Sequence, residues 1–139
     1  MKDNFEFKTF LDEFYKVVDT FPESIAISTE TEKISYSELN KRIINISRIL
    51  SERGITKEDV VILWMEKDPE YIECLLATWR MTAIYLPLDA KTPIERVNWI
   101  ARDANAKVII TNNELLLRHR FDELGTDNSK ENEKHIILD

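Results

Sequence analysis

The amino-acid sequence predicts an α/β fold: a layered parallel sheet with flanking helices, preceded by a helix and a β-hairpin. From residue 34 onwards, short apolar runs alternate with amphipathic helical segments, the order expected when strands and crossover helices build one sheet. The run from Val60 to Trp64 has five consecutive apolar residues, which is typical of a strand covered on both faces and therefore parallel to its neighbours. With 139 residues, 43% of them hydrophobic, the chain can bury a core as one domain or part of one.

Charge and composition exclude several classes of function. The formal net charge is −7, from 26 acidic and 19 basic side chains, which disfavours nucleic acid and anionic membrane surfaces as partners. The first eight residues lack the apolar core of a signal peptide, and no run approaches the ~18 apolar residues of a transmembrane helix. Cys74 is the sole cysteine, so neither an intrachain disulfide nor a cysteine-based metal site can form. A cytoplasmic protein is expected.

Glycine is scarce, and this bears directly on chemistry. The chain contains two glycines, Gly54 and Gly125, whereas a loop that wraps phosphate groups with backbone N–H groups needs several close together. The sequence therefore predicts no phosphate-binding loop within this chain. No catalytic, cofactor-binding or metal-binding residue is predicted for it.

The first elements are a helix, a hairpin and a second helix. Apolar residues recur at helical spacing over residues 8–20, and Pro22 should end that helix. Two short strands, residues 25–28 and 33–35, flank a polar turn and indicate a hairpin. The second helix begins with a capping-box spacing and ends at a glycine cap; the residues concerned are Ser35, Glu38 and Gly54.

The next segment predicts a helix between two strands. Asp68 should cap the helix over residues 69–81, and Pro69 should open it. The strand that follows, residues 83–86, should end at Pro87, because proline cannot donate to a sheet ladder. The three tryptophans are expected in the core. The apolar stripe expected to face the core consists of Ile72, Leu75, Leu76 and Trp79.

The last part of the chain repeats this arrangement. Thr92, Pro93 and Glu95 show a cap, a proline and an acidic residue at the start of a helix. The remaining predicted elements are a helix over residues 93–104, a strand over 107–111, a short helix over 112–120 and a strand over 135–139.

Two short motifs carry a resemblance to a known family. The sequence Ile34-Ser35-Tyr36-Ser37-Glu38-Leu39 and, about fifty residues later, Tyr85-Leu86-Pro87-Leu88-Asp89 resemble the early core motifs of amino-acid-activating adenylation domains. Such domains are modules of nonribosomal peptide synthetases, within the adenylate-forming, AMP-binding superfamily. The family-motif structural positions that the resemblance assigns are Tyr36, Glu38, Leu39, Tyr85, Pro87 and Asp89.

The resemblance implies that residues 1–139 are the N-terminal part of such a domain, without its phosphate loop and C-terminal subdomain. The parent domain would use ATP and Mg²⁺ to activate an amino acid as aminoacyl-AMP, for transfer to a phosphopantetheine thiol on a carrier protein. The fragment itself is expected to bind no cofactor and to be inactive, because the family places the catalytic groups further along the chain. Its expected partners are the remainder of the adenylation domain or synthetase module and the carrier protein.

Two alternatives stay open beside this interpretation. Thr82 and Ile84 stand where the family usually has glycine or alanine, which favours a degenerate adenylation domain retained as a non-catalytic scaffold or docking module. The other alternative is half of a split adenylating enzyme, completed by a second chain. Because the predicted C-terminal strand has an unpaired edge, a homo-oligomer is also expected.

Asp89 is the strongest single candidate for a functional side chain, because it follows a strand end where open α/β sheets present their functional loops. The plainer interpretation is a loop carboxylate that caps Thr92-Pro93 or pairs with Arg96. Cys74, beside an apolar stripe, is expected to be a buried structural thiol.

His119, between two arginines, could bind an anion, but a solvated end of a short helix is the plainer interpretation. His135 starts a strand with no second ligand nearby in sequence and is expected to have no ligand role.

Overall fold

The structure is a computed structural model that describes residues 9–120 and 135–137, without the side chains of residues 118–120 and 135. The predictions for residue 8, for residues 138–139 and for the side chains of His119 and His135 lie outside the described residues. In chain order the elements are α1 (Phe10–Thr20), β1 (Ile25–Ser28), β2 (Lys33–Ser35), α2 (Tyr36–Glu52), β3 (Val60–Trp64), α3 (Pro69–Arg80), β4 (Ile84–Leu88), α4 (Ile94–Asp103), β5 (Val108–Thr111), α5 (Asn113–Arg120) and β6 (His135–Ile137).

Four strands form one parallel sheet in the order β4-β3-β5-β6. Ile62 of β3 lies opposite Leu86 of β4 and Ile109 of β5, and Ile110 of β5 lies opposite Ile136 of β6. The chain passes from β3 through α3 to β4, then through α4 across β3 to β5. The predicted α/β class and the parallel pairing of the first three strands of this sheet are confirmed.

The hairpin of β1 and β2 is a separate antiparallel two-stranded sheet, as predicted. Thr29 closes its turn: its backbone N–H donates to the Glu32 carbonyl oxygen at 2.8 Å, and its hydroxyl accepts the Glu32 N–H at 3.0 Å. Ser35 is both the last residue of β2 and the N-cap of α2, so the hairpin leads directly into that helix.

Both faces of the parallel sheet are covered by helices. Alternate residues of a strand point to opposite sides of a sheet, so one strand can contribute side chains to two clusters. On one face Val61 and Leu63 of β3 are buried together with residues of α1, α2 and α3. On the other face Ile62 and Trp64 are buried together with residues of α4 and α5. Burial on both sides explains the continuous apolar run of β3.

Helix ends follow local side-chain chemistry. Thr9 and Asp12 form a reciprocal capping box, so α1 begins at Phe10. Ser35 and Asp68 cap α2 and α3 as predicted. None of the helices in the described part has the length and apolarity needed to cross a membrane.

The predicted cap of α4 is wrong, whereas the predicted end of α2 is confirmed. Pro93 occupies the N-cap position of α4, and no side chain caps that helix. Thr92, the expected cap, lies one residue before the N-cap position and belongs to a turn after β4, where its backbone N–H donates to the Asp89 carbonyl oxygen at 2.9 Å. At the end of α2, Gly54 has φ +77° and directly follows the C-cap residue Arg53.

β4 continues through Pro87 to Leu88, so the prediction that Pro87 ends the strand is wrong. The physical reason is the position of β4 at the outer edge of the sheet, beside β3. A residue whose N–H would point away from the sheet needs no backbone donor, and proline is tolerated there. Pro87 is exposed and lies in register with Leu63 of β3.

α3 presents only part of its predicted apolar stripe to the core. Trp79 is 37% exposed and Ile72 is also exposed, so the core position expected for Trp79 is wrong. The small residues Cys74 and Ala77 are fully buried, and they allow α2 to pack closely against α3. Of the predicted stripe, Leu76 is buried and Leu75 packs against the core, whereas Ile72 and Trp79 lie at the margin. The other tryptophans divide in the same way, with Trp64 buried and Trp99 exposed.

Candidate functional site

The carboxyl ends of β3 and β4 lie side by side, and the loops that follow them border a cleft of about 380 Å³. Trp64 and Leu88, the last residues of the two strands, are opposite each other in the register. This is the edge at which open α/β sheets bind their ligands. The cleft lining includes Met65, Glu66, Lys67, Tyr71, Pro87 and Asp89.

Asp89 lies directly after β4 and builds a local turn. Its Oδ1 accepts the backbone N–H of Lys91 at 2.8 Å, and its carbonyl oxygen accepts the backbone N–H of Thr92 at 2.9 Å. The alternative pairing with Arg96 is wrong, because the Arg96 guanidinium lies over the Trp99 ring, 4.7 Å from its centroid. Asp89 is therefore at the predicted edge, with contacts typical of a turn residue.

Tyr85 and Pro87, from the same motif, have different surroundings. Tyr85 is half-buried against the core between the sheet and α1, α2 and α3, and its ring meets that of Trp79 edge-on, with 5.8 Å between centroids. Pro87 is exposed and lines the cleft. Both placements are compatible with the structural role that the motif assigns, which stays a prediction.

The residues of the first motif lie on α2 and pack. Leu39 is buried in the core, and the Tyr36 ring lies 6.1 Å from the Phe14 ring of α1. The Glu38 carboxylate accepts a hydrogen bond from Nε of Arg42 at 3.2 Å. None of the three motif residues lines the cleft at the ends of β3 and β4.

Arg42 is the centre of a charged cluster that the sequence did not predict. Its guanidinium contacts the carboxylates of Glu32 at 2.7 Å, Glu38 at 3.2 Å and Glu73 at 3.1 Å. The cluster joins the hairpin turn, α2 and α3. The four-residue spacing of Glu38 and Arg42 is visible in the sequence, but their partner on α3 becomes apparent only in the folded chain.

The charges of this cluster are unequally stabilised. Hydrogen bonds with Glu32 and Glu73 raise the pKa of Arg42, so its cation is held firmly. Burial raises the pKa of Glu73 above its ordinary value despite the hydrogen bond from Arg42. The shift of Arg42 favours its charged form, whereas the shift of Glu73 favours the neutral form of its carboxyl group. We attribute this to three carboxylates sharing one cation, with Glu73, 7% exposed in its side chain, the least hydrated.

Cys74 is a buried thiol, as predicted. Burial is the main cause that raises its pKa, and the nearby carboxylates of Glu70 and Glu73 raise it further. A thiol with a raised pKa and no access to solvent is a poor nucleophile. Cys74 therefore contributes packing between α3 and its neighbours.

The described residues do not fit the ATP and Mg²⁺ that the resemblance implies for a parent domain. Gly54, the glycine in the described part, ends α2 and lies in no loop of the cleft. In the cleft, Lys67 stands among the carboxylates of Glu66 and Asp89, which is unfavourable for a triphosphate. Within residues 9–120 and 135–137, no cluster of histidine, cysteine and carboxylate side chains could hold a metal ion.

The architecture defines an α/β domain whose helix-covered parallel sheet presents its loops at the carboxyl edge. The chain belongs to the AMP-binding enzyme family, whose sequence model matches residues 14–139. The family resemblance carried by the two motifs is thereby confirmed.

The relatives specify the branch of that family. The chain is 36% identical over 108 residues to nonribosomal peptide synthetase sidE of Aspergillus fumigatus, covering 77% of this chain and 5% of that protein. It is 32% identical over 98 residues to tyrocidine synthase 1 of Brevibacillus parabrevis, covering 70% of this chain and 9% of the relative.

Solved structures agree with the sequence relatives. The N-terminal subdomain of Klebsiella oxytoca NpsA, in complex with 3-hydroxybenzoyl-AMSN, matches with a TM-score of 0.68 and 25% identity, over 75% of this chain and 26% of that one. The AMPPNP-bound form of the nonribosomal peptide synthetase FmoA3 matches with a TM-score of 0.70 and 28% identity, over 75% of this chain and 11% of that one. The chain thus corresponds to an N-terminal piece of an adenylation domain and spans a small part of each relative.

Proposed function

We propose that this chain is the N-terminal part of an amino-acid adenylation domain of a nonribosomal peptide synthetase. The complete domain would join an amino-acid carboxylate to the α-phosphorus of ATP, with release of pyrophosphate, and then transfer the aminoacyl group to a carrier-protein thiol. The family match over residues 14–139 supports this proposal, together with the similarity to the NpsA N-terminal subdomain.

Within that reaction, this chain supports the catalytic elements of the complete domain and contributes no reacting group of its own. Its helix-covered sheet supplies the carboxyl edge and the turn at Asp89, against which the catalytic elements of the remainder pack. It donates no group to ATP, because its cleft has neither a glycine-lined loop nor an excess of positive charge. Its partners are the remainder of the adenylation domain and the carrier protein of the module.

Pyrophosphate exchange tests the proposal. The isolated chain is expected to give no amino-acid-dependent exchange of labelled pyrophosphate into ATP. A second polypeptide carrying the rest of a related adenylation domain should restore exchange when this chain is added. A chain with Leu39→Asp is the control, because a charge at this buried position should prevent correct packing and abolish complementation.

Exchange by the isolated chain, abolished by a substitution in it, would overturn the proposal. If the chain is folded but never restores exchange to the second polypeptide, the result would favour the second candidate, a degenerate domain kept as a non-catalytic scaffold. The observation that favours this second candidate is Thr82, a β-branched residue at φ +56° where the family has a small residue.

The DNA downstream of residue 139 separates these candidates and the split-enzyme alternative. An in-frame glycine-rich phosphate loop supports a complete adenylation domain. A condensation or carrier domain that follows directly supports the non-catalytic scaffold. A separate gene that opens with the phosphate loop supports half of a split enzyme.

A further inference from the structure

An open groove of about 760 Å³ lies between the start of α1 and the end of α3. Thr82 and Ala83, which border it, precede β4, so the groove is at the amino end of that strand. The cleft described for the candidate site is at the opposite, carboxyl end. The groove lining includes Thr9, Phe10, Tyr15, Trp79, Arg80 and Met81.

Phe10 and Trp79 line this groove with aromatic rings that contact each other. The Trp79 ring meets Phe10 edge-on, with 5.8 Å between centroids, and on its other side meets the half-buried Tyr85, which does not line the groove, at the same distance. Phe10 is 60% exposed, and Trp79 is also exposed. Single exposed apolar residues are ordinary, but a contacting aromatic pair that lines a groove is typical of a binding surface.

One wall of the groove is held in place by a contact between the two helices. Nη1 of Arg80 on α3 donates a hydrogen bond to the Tyr15 hydroxyl on α1 at 2.7 Å. The guanidinium also lies over the Tyr15 ring, 5.7 Å from its centroid. This contact links α1 to α3 along one side of the groove.

We propose that the N-terminal segment of this chain, residues 1–8, binds in this groove and places Phe5 and Phe7 against Phe10 and Trp79. Thr9 both follows this segment and lines the groove, and its backbone is extended, with φ −75° and ψ 162°. Eight residues can reach roughly 26 Å when extended, which is ample for a groove that begins at the neighbouring residue.

The sequence of the segment suits this surface. Phe5 and Phe7 are two residues apart, so an extended chain directs both rings to one side and Glu6 to the other. Covalent attachment gives the segment an effective concentration on the order of millimolar. Even weak aromatic contacts then favour this segment over a second copy of the chain at dilute concentration.

Tryptophan fluorescence tests the proposal in the full chain. In a Trp99→Phe background, Trp79 is the indole open to quenching, because Trp64 is fully buried. The double variant Phe5→Ser, Phe7→Ser should raise the acrylamide quenching constant several-fold and shift the emission to longer wavelength. The control is Phe21→Ser, which removes the exposed phenylalanine at the C-cap of α1. It should change neither the quenching constant nor the emission wavelength.

A second readout does not depend on stability. With p-cyanophenylalanine at position 7, its emission should be quenched by energy transfer and should recover when Trp79 is replaced by leucine. Unchanged Trp79 quenching in the folded double variant, or no recovery of the probe, would overturn the proposal. Protection of Trp79 that disappears on dilution would also overturn it, because a second copy would then be the occupant.

Discussion

Thr82 is the residue at which the sequence and the backbone geometry conflict most clearly. It has φ +56° between α3 and β4, in the left-handed region that is unfavourable for a β-branched side chain. We expect Thr82→Gly to stabilise the chain by ~1 kcal/mol, because the left-handed conformation costs non-glycine residues about that much. Urea denaturation, with an unchanged denaturant slope, measures the gain.

Asn105 provides the matched comparison, since it has φ +51° but a side chain that tolerates this region. Asn105→Gly should therefore give a smaller gain than Thr82→Gly. If the two substitutions have equal effects, or if Thr82→Gly destabilises, Thr82 makes a contact that outweighs its backbone strain.

The tryptophans should differ in their contributions to stability. Trp64 is fully buried between the sheet and α4, so Trp64→Ala should cost ~3–5 kcal/mol. Trp79 is exposed at one edge, so in a chain that begins at Thr9 the substitution Trp79→Ala should cost only ~1–2 kcal/mol, because less apolar surface returns to water. In the full chain Trp79→Ala should cost more, because the proposed N-terminal segment covers this ring. Chemical denaturation checks this order, and equal costs of Trp79→Ala with and without residues 1–8 would contradict that cover.

At the scale of elements, the Arg42 cluster connects the hairpin, α2 and α3 through Glu32, Glu38 and Glu73. The pKa of Glu73 is raised above its ordinary value of 4.5, chiefly by burial. The folded chain therefore holds this proton more tightly than the unfolded chain. The resulting stabilisation is complete below pH 4.5 and declines as the pH rises through the folded-state pKa.

Glu73→Gln should remove this pH dependence, because the amide stays neutral and still accepts a hydrogen bond from Arg42. The stability of the variant relative to the natural chain should increase as the pH rises above 4.5 and then level off. Thermal denaturation across that range measures it. Glu52→Gln, at an exposed position at the end of α2, is the matched control for the loss of a carboxylate from the same region. A relative stability that falls with pH would show that the ion pair outweighs burial.

The sequence predicts elements whose signals are local and misses features that depend on packing. The Asp68-Pro69 cap and the apolar run of β3 were sufficient to place α3 and the central strand. Pro87 was misplaced because only the strand order makes β4 an edge strand, where proline is tolerated. The sequence predicts the core face of α3 only in part: Leu76 is buried as expected, but close packing favours Cys74 and Ala77 over the larger Trp79.

The candidate site divides in the same way. Its location at the strand ends followed from the order of elements, and Asp89 lies there. The hydrogen bond from the Lys91 N–H to Asp89 was not foreseen, because an Asx-type turn and a helix cap have similar sequence signals. The contact between Arg42 and Glu73 spans 31 residues, and nothing local specifies it.

At the scale of the whole molecule, the faces of the sheet are closed but its edges are not equivalent. Helices cover both faces. β4 forms one edge, where Pro87 lacks the N–H that an added strand would use. β6 forms the other edge among the described strands, and Ile137 there is 45% exposed. An additional strand should therefore pair with β6.

We predict that the isolated chain does not behave as a self-sufficient monomer. It covers 26% of the matched NpsA N-terminal subdomain, so most of what packs around this piece in that relative has no counterpart here. An open edge and exposed apolar residues recruit other chains. Size exclusion with light scattering should show a dimer or larger species, and a dye for apolar surfaces should bind. Adding the remainder of an adenylation domain should suppress both signals. A dilute monomer with a sharp thermal transition and no dye binding would contradict the prediction, because the β6 edge would then be closed by this chain itself.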